Sequence, residues 1–351
     1  MTIEDKFFEQ FCVDRNLKAS TRKGYESSIQ LYCKVHRRSV SELLSEARLD
    51  EDKGIVLKDR RIKRRLLKFR NFLLDGDFSP NTSKTYFQKV KTFYLHFEVE
   101  LPYIPPANYE RGYVVGYGDL PSHDDIRNAV NSVGLDLKAV ILFMASSGTA
   151  KAETLSLTVG DFVDATREYH RGGSVGEVLD FLSGRGDVVP TFYLRRIKTD
   201  KWYYTFCSSE ACRFIVDYLL TRKGLCRDDK LFDFSASRLL LRFQEINDSM
   251  GWGFKGKYRF FRSHALRKFH ASNIGLGAED VDSLQGRSKN MVHETYIKVN
   301  PRRLKELYVG VMGNVMFFGG LDDGVDGGGV VNQEFTIVVN VFCSGKEYNV
   351  L

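Results

Sequence analysis

The run Leu101-Pro102-Tyr103-Ile104-Pro105-Pro106 sets the first limit on how this chain can fold. Proline fixes φ, lacks a backbone N–H and pushes its predecessor out of the helical region, so Pro-Pro cannot sit inside a helix. A glycine-rich stretch, Gly112 to Gly118, follows. Residues 101–118 are therefore expected to be an extended linker between two bodies. At 351 residues the chain is long enough to give each body its own core. Such a hinge lets two lobes close around a partner.

The first hundred residues read as four or five short helices. Phe7, Phe8, Phe11 and Cys12 share one face of a helix over residues 2–16. Ser20-Thr21 caps a second helix carrying Ile29, Leu31, Tyr32 and Val35, and a short helix covers Ser41–Ala47. Ser79-Pro80-Asn81-Thr82 starts another, with Tyr86, Val90, Phe93, Tyr94 and Phe97 on its apolar face. Between them lies the densest basic run, which includes Arg60, Arg61, Lys63, Arg64, Arg65 and Lys68. Read alone, such a run is a solvated helix face. With Lys84 and Lys89 on the next helix it also reads as a phosphate-binding surface.

After the linker, Pro121-Ser122-His123-Asp124-Asp125 begins a capped helix. Leu135 to Ser147 is strongly apolar but too short to span a bilayer, so it is expected to be a core helix. A helical turn follows over Ala152–Leu157, and Val159-Gly160-Asp161-Phe162 is read as leaving it. Residues 190–207 alternate as a β-hairpin whose turn is Lys198-Thr199-Asp200-Lys201. Helices are expected at Ser209–Leu220, 235–247 and Pro301–Tyr308, with a loop at Gly251–Lys257. Six glycines and three aspartates between Gly319 and Gly329 suggest a flexible tether before a terminal strand, Glu334–Phe342.

Composition excludes little but helps. A net charge of +7 permits a nucleic-acid partner without requiring one. The six cysteines include no C-x-x-C pair and no neighbouring His cluster, so reduced thiols are expected rather than a zinc site. No signal peptide or membrane span is evident. The expected location is the cytoplasm, associated with DNA.

The stretch Phe261 to Tyr296 carries the chemistry. His264 and Arg267 are three residues apart on one helical face, Gly286-Arg287 follows, and Tyr296 closes the segment. Cations and one phenol can meet there on a small anion, and a phosphodiester fits that set. A lone tyrosine is ordinarily structural, yet a phenol can attack phosphorus when its developing charge is stabilised. An arginine fork holds two phosphate oxygens in a way lysine does not. Lys198 is an ordinary turn lysine or a general acid for a leaving 5′ oxygen, with Lys201 as the alternative.

In this order, Ala152-Glu153 to Leu157, Lys198, His264-Ala265-Leu266-Arg267, Leu284-Gln285-Gly286-Arg287 and Tyr296 resemble the tyrosine recombinase (phage-type integrase) family, most closely the integrases of archaeal viruses and proviruses. The resemblance implies a mainly α fold with a small β-sheet. An N-terminal helical core-binding (SAM-like) domain, 1–100, would join an α+β tyrosine-recombinase catalytic domain, 119–312, with residues 313–351 as tether and strand. It implies Tyr296 as nucleophile through a 3′-phosphotyrosyl link, with Arg267, His264, Lys198, Arg287 and Lys151 assisting. Arg60, Arg61, Lys63, Arg64, Lys84 and Lys89 would contact DNA. A homotetramer would exchange strands at a specific double-stranded attachment site, as in viral genome integration, with no metal or nucleotide cofactor. The terminal strand would add to its own sheet or pass to a neighbouring protomer.

Two positions depart from the family pattern. Ala150 stands where an arginine is usual, beside Lys151, and Arg287 replaces the usual histidine. Lys151 is expected to fill the arginine's role imperfectly. Two rival readings follow: a catalytically weakened DNA-binding protein of the same fold, and a type IB topoisomerase-like strand relaxer.

Overall fold

Leu137 and every residue from Ala139 to Ser147 are buried, so the apolar helix expected at Leu135–Ser147 is the centre of the larger of two units. The computed structural model describes residues 5–108, 113–287 and 300–319. The chain divides into units Met1–Val114 and Val115–Leu351. Among the described residues there are fifteen α-helices and two two-stranded sheets, a mainly α fold. No helix among them is long and apolar enough to cross a membrane.

The first unit is a bundle of α1 (Lys6–Asp14), α2 (Ala19–His36), α3 (Val40–Asp52), α4 (Arg61–Asp75) and α5 (Pro80–His96). Its starts follow local chemistry. Ser39 and Glu42 cap α3 reciprocally, and Ser79 caps α5 with Pro80 in the first turn. Phe8, Phe11, Tyr32, Leu66, Phe69 and Tyr94 fill the interior. The Tyr32 and Tyr94 hydroxyls satisfy each other at 3.1 Å.

In the second unit, α6 (His123–Asn131) carries the expected Ser122 cap, and α7 is Leu135–Ser147. Then come α8 (Lys151–Thr154), α9 (Val159–Ala165), α10 (Val175–Leu182), the hairpin β1 (Thr191–Arg196) and β2 (Lys201–Phe206), α11 (Ser209–Leu220) and α12 (Ala236–Ser249). A second hairpin, β3 (Phe254–Lys255) and β4 (Tyr258–Arg259), precedes α13 (Ser263–Asn273), α14 (Ala278–Leu284) and α15 (Pro301–Val311). Helices α11 and α13 and strand β2 pack on α7. Each large apolar side chain fully buried there contributes about 1.5–3 kcal/mol.

Some sequence expectations change. Val159-Gly160-Asp161-Phe162 does not leave a helix but starts one, because Thr158 and Asp161 form a reciprocal cap. Helix α10 was not expected and is started the same way by Ser174 and Glu177. The 251–257 loop contains half of the β3–β4 hairpin. Val315 and Phe317, expected at the head of the tether, are buried in the core, and Glu210 accepts the backbone N–H groups of Phe317 and Phe318 at 3.0 and 2.8 Å. The expected strand Glu334–Phe342 lies outside the described residues.

Candidate functional site

A helix leaves its last carbonyls unpaired and its C-terminal end partially negative. At the end of α7 three side chains resolve this. Tyr308 Oη donates to Ser146 O at 2.9 Å, Thr205 Oγ1 to Ser147 O at 2.9 Å, and Arg267 Nη1 to Gly148 O at 2.7 Å. Gly148 has φ +65°, and a Cβ there would lie 2.5 Å from His270 Nδ1, so only glycine fits.

The end of α14 repeats the pattern with three cations. Arg267 Nη2 donates to Gln285 O at 2.7 Å, Arg196 Nη1 to Gly286 O at 2.6 Å, and Lys201 Nζ to Arg287 O at 3.3 Å. Three successive carbonyls are thus held by α13, β1 and β2. Gly286 has φ +59°, and a Cβ would sit 2.5 Å from the Tyr203 ring. The glycine lets the turn lie directly on β2.

Arg267 bridges both helix ends and is 4% exposed. The Glu153 carboxylate lies 3.8 Å from its Nη1 and also accepts the Ala150 N–H at 2.9 Å. Burial lowers the Arg267 pKa to about 10 against the opposing pull of Glu153, so it stays charged at neutral pH. Tyr203 Oη reaches the same Glu153 oxygen at 3.4 Å, and burial, with Glu153 beside it, raises its phenol pKa.

His270 is fully buried below this cluster. Its Nδ1 faces Gln285 Nε2 at 3.0 Å, and the same amide nitrogen donates to Arg267 O at 3.0 Å. Burial, then Arg267 and Arg287, lowers the His270 pKa to about 3 and keeps it neutral. His270 and Gln285 therefore support Arg267 from behind.

The residues expected from sequence are distributed unevenly. His264 occupies the second position of α13, exposed at the surface. Partial desolvation, then Lys268, Arg262, Arg267 and Arg287, lowers its pKa and favours the neutral ring. Arg287 Nη1 lies 3.7 Å from Asp282 Oδ1. Arg267, His264 and Arg287 thus share one electrostatic neighbourhood. Lys198 is exposed at the hairpin turn. Lys151 instead directs Nζ to Ala236 O at 3.5 Å, at the start of α12. Tyr296 lies outside the described residues.

In the first unit the basic run splits into two kinds of side chain. Arg60 is tied to Glu51 at 2.7 Å, Arg61 to Asp50 at 2.7 Å, and Arg65 to Glu46 through two bonds of 2.9 Å. These arginines join α4 and its N-cap to α3 and the turn after it. The Lys63, Arg64 and Lys68 side chains form no hydrogen bond or ion pair among the described residues. Lys89 lies over the Tyr25 ring, 5.4 Å from its centroid, and burial lowers its pKa. Lys84 is exposed beside a groove shared with Arg70, Lys91 and Pro105.

Sequence reading missed Arg196, Tyr203, Gln285 and His270 as parts of this arrangement. Strand alternation contains a signal for two of them. Phe192 and Leu194 are buried on β1, so period two puts Arg196 on the same face. Its partners on β2 put Tyr203 and Lys201 there as well, through Leu194↔Tyr203 and Arg196↔Lys201.

No family model and no curated protein matches the sequence. Solved structures do match in fold. A lambda integrase tetramer bound to a Holliday junction aligns at TM-score 0.51 and 13% identity over 83% of this chain and 75% of that one. The Tn1549 transposon integrase in complex with transposon right end DNA aligns at 0.51 and 13% over 88% and 100%. The XerH site-specific recombinase bound to palindromic difH substrate aligns at 0.50 and 16% over 85% and 82%. The chain has the tyrosine-recombinase fold, mainly helical with a small sheet.

Proposed function

We propose that this protein is a site-specific DNA recombinase that cuts and rejoins strands through a 3′-phosphotyrosyl intermediate. The observation that supports this most is the cluster at the end of α14, where Arg267, Arg196 and Lys201 hold three successive carbonyls beside Arg287 and His264. A fixed group of cations in a recombinase fold suits a phosphodiester, because catalysis of phosphoryl transfer is mainly positioning and charge stabilisation. Tyr296 supplies the nucleophile in this reading. Its phenolic oxygen bonds to phosphorus, the P–O5′ bond breaks, and the 5′ oxygen takes a proton from Lys198 or Lys201. The phenolic proton passes to His264 or to water. A partner strand's 5′ hydroxyl then attacks phosphorus and releases Tyr296, with no external energy source.

The partner is double-stranded DNA carrying an attachment site, and two sites are bridged by four protomers. Residues 1–100 form the core-binding part and 119–312 the catalytic part. Lys63 and Arg64 are the first unit's best candidates for phosphate contact, while Arg60 and Arg61 act mainly inside the bundle.

A suicide substrate with a nick beside the cleavage point tests this reading. A covalent protein–DNA adduct is expected and is lost in Tyr296→Phe. An adduct that persists in Tyr296→Phe removes the nucleophile assignment. Relaxation of any supercoiled DNA without exchange between sites assigns a type IB topoisomerase-like activity instead. A second reading, DNA binding without cleavage, is favoured by the Lys151 ammonium pointing to Ala236 O while Ala150 carries only a methyl group. It predicts salt-dependent DNA binding and no adduct.

A further inference from the structure

We propose that Arg196 is a phosphate-binding residue of this site and supplies the guanidinium that position 150 lacks. This rests on the reading of the site as one for a DNA phosphodiester. Arg267 and Arg196 donate to the adjacent carbonyls of Gln285 and Gly286, so their guanidinium groups converge on one peptide turn. Arg267 is nearly sealed, with Nη1 and Nη2 committed to carbonyls and Glu153 beside it. Arg196 is only half-buried and uses one Nη for Gly286 O. A guanidinium has five N–H donors, so among the described residues an edge of Arg196 remains for two oxygens of one phosphate.

The strand register adds a second argument. Arg196 pairs directly with Lys201, on the face that also carries Leu194 and Tyr203. Like charges placed opposite each other on one sheet face are destabilising. Here they are drawn to the same helix end as Arg267, with Arg287 following in sequence. Four cations gather around one turn against two carboxylates, Glu153 and Asp282, and this excess of positive charge suits a bound phosphate. Lys151, the nearest cation to position 150 in sequence, directs its ammonium to the start of α12, 3.5 Å from Ala236 O.

Two variants separate charge from architecture. Arg196→Gln keeps a donor for Gly286 O but removes the charge, and Arg196→Lys keeps the charge but loses the fork. Adduct formation on the suicide substrate is expected to fall by about 10²–10³-fold in Arg196→Gln, the usual loss for one transition-state donor, with a smaller loss in Arg196→Lys. On a scissile methylphosphonate, which carries no negative charge, the Arg196→Gln defect is expected to shrink at least tenfold. A purely architectural role leaves the defect equal on both substrates and overturns the proposal.

Equilibrium binding to uncut DNA supplies a readout independent of cleavage. The slope of log K against log salt is expected to fall by about 0.9 in Arg196→Gln, one phosphate contact. If wild type forms an adduct and Arg196→Gln matches it, Arg196 is excluded while the recombinase reading stands. If wild type forms no adduct, the cleavage reading fails, and an unchanged salt slope then overturns the Arg196 assignment too.

Discussion

The Arg267 guanidinium lies 3.8 Å from the Glu153 carboxylate, and both groups are buried. This pair joins the ends of α7 and α14 through the carbonyls of Gly148 and Gln285. Removing one member of a buried pair strands the other charge, which costs about 3–5 kcal/mol. Arg267→Ala is therefore expected to destabilise the second unit by about that much. Arg267→Lys should lose less, because one ammonium keeps the charge but cannot span both carbonyls as the fork does. Denaturant unfolding followed by near-UV signals from the second unit tests this. An Arg267→Ala protein as stable as wild type removes the bridging role.

Lys151 points to Ala236 O, so Lys151→Ala is expected to leave adduct formation unchanged. Ala150→Arg is expected to raise it. Ala150 has extended backbone with φ −83° and ψ 153°, which any larger side chain adopts without strain. Rates on the suicide substrate decide between the two positions. A marked loss in Lys151→Ala reinstates that lysine as the substitute cation.

Gly286→Ala tests the contact between the α14 turn and the hairpin. A left-handed backbone costs a non-glycine residue roughly 1–2 kcal/mol, and here the added Cβ also overlaps the Tyr203 ring at 2.5 Å. The loss should exceed the backbone cost alone. In the Gly286→Ala/Tyr203→Ala double variant the overlap disappears, so the two losses should be less than additive. Additive losses in a double-mutant cycle refute the contact.

Two capped helix starts were legible because their signals are local, whereas Ser20-Thr21 lies inside α2, which begins at Ala19 with Lys18 as an N-cap that makes no side-chain bond. Ser79-Pro80 and the Ser122 to Asp125 pair start α5 and α6 as read. Thr158 to Asp161 is the same kind of signal, in a stretch read as leaving the preceding helical turn. The convergence at 285–287 was not legible. It requires a hairpin about ninety residues upstream to dock on the turn, and sequence spacing gives no information on that. The basic run misled for a related reason. Arg61 and Arg65 are adjacent to Lys63 and Arg64 in sequence, but only the first two face the buried acids Asp50 and Glu46 of α3.

That division gives a separable prediction for the first unit. Lys63→Ala and Arg64→Ala should each reduce the salt slope of DNA binding by about 0.9 and leave thermal stability unchanged. Arg65→Ala should do the reverse, because it strands Glu46, whose pKa is lowered first by its hydrogen bonds to Arg65. Salt titrations and melting curves on the same three proteins test it. Equal effects on binding from all three remove the distinction.

His36 makes the stability of the first unit depend on pH. It is 7% exposed, its ring nitrogens have no partner among the described residues, and its ring stands edge-on to Tyr32 at 4.6 Å. Burial, then Arg65 and Lys68, lowers its pKa from 6.5 to about 4. Below pH 6.5 the unfolded chain takes up a proton that the folded unit refuses. Stability is therefore full above pH 6.5 and falls as pH drops toward 4, by roughly 3 kcal/mol at 1.36 kcal/mol per pH unit. The Glu46 and Asp50 carboxylates, held low by Arg65 and Arg61, add a loss of the same sign at lower pH. Phenylalanine keeps the edge-on contact and has no proton to gain. His36→Phe should therefore flatten the dependence between pH 6.5 and 4.5, read as hydrogen-exchange protection of α2 and α4 amides in the full chain. A variant that loses protection over that window as steeply as wild type shows that His36 is not the responsible group.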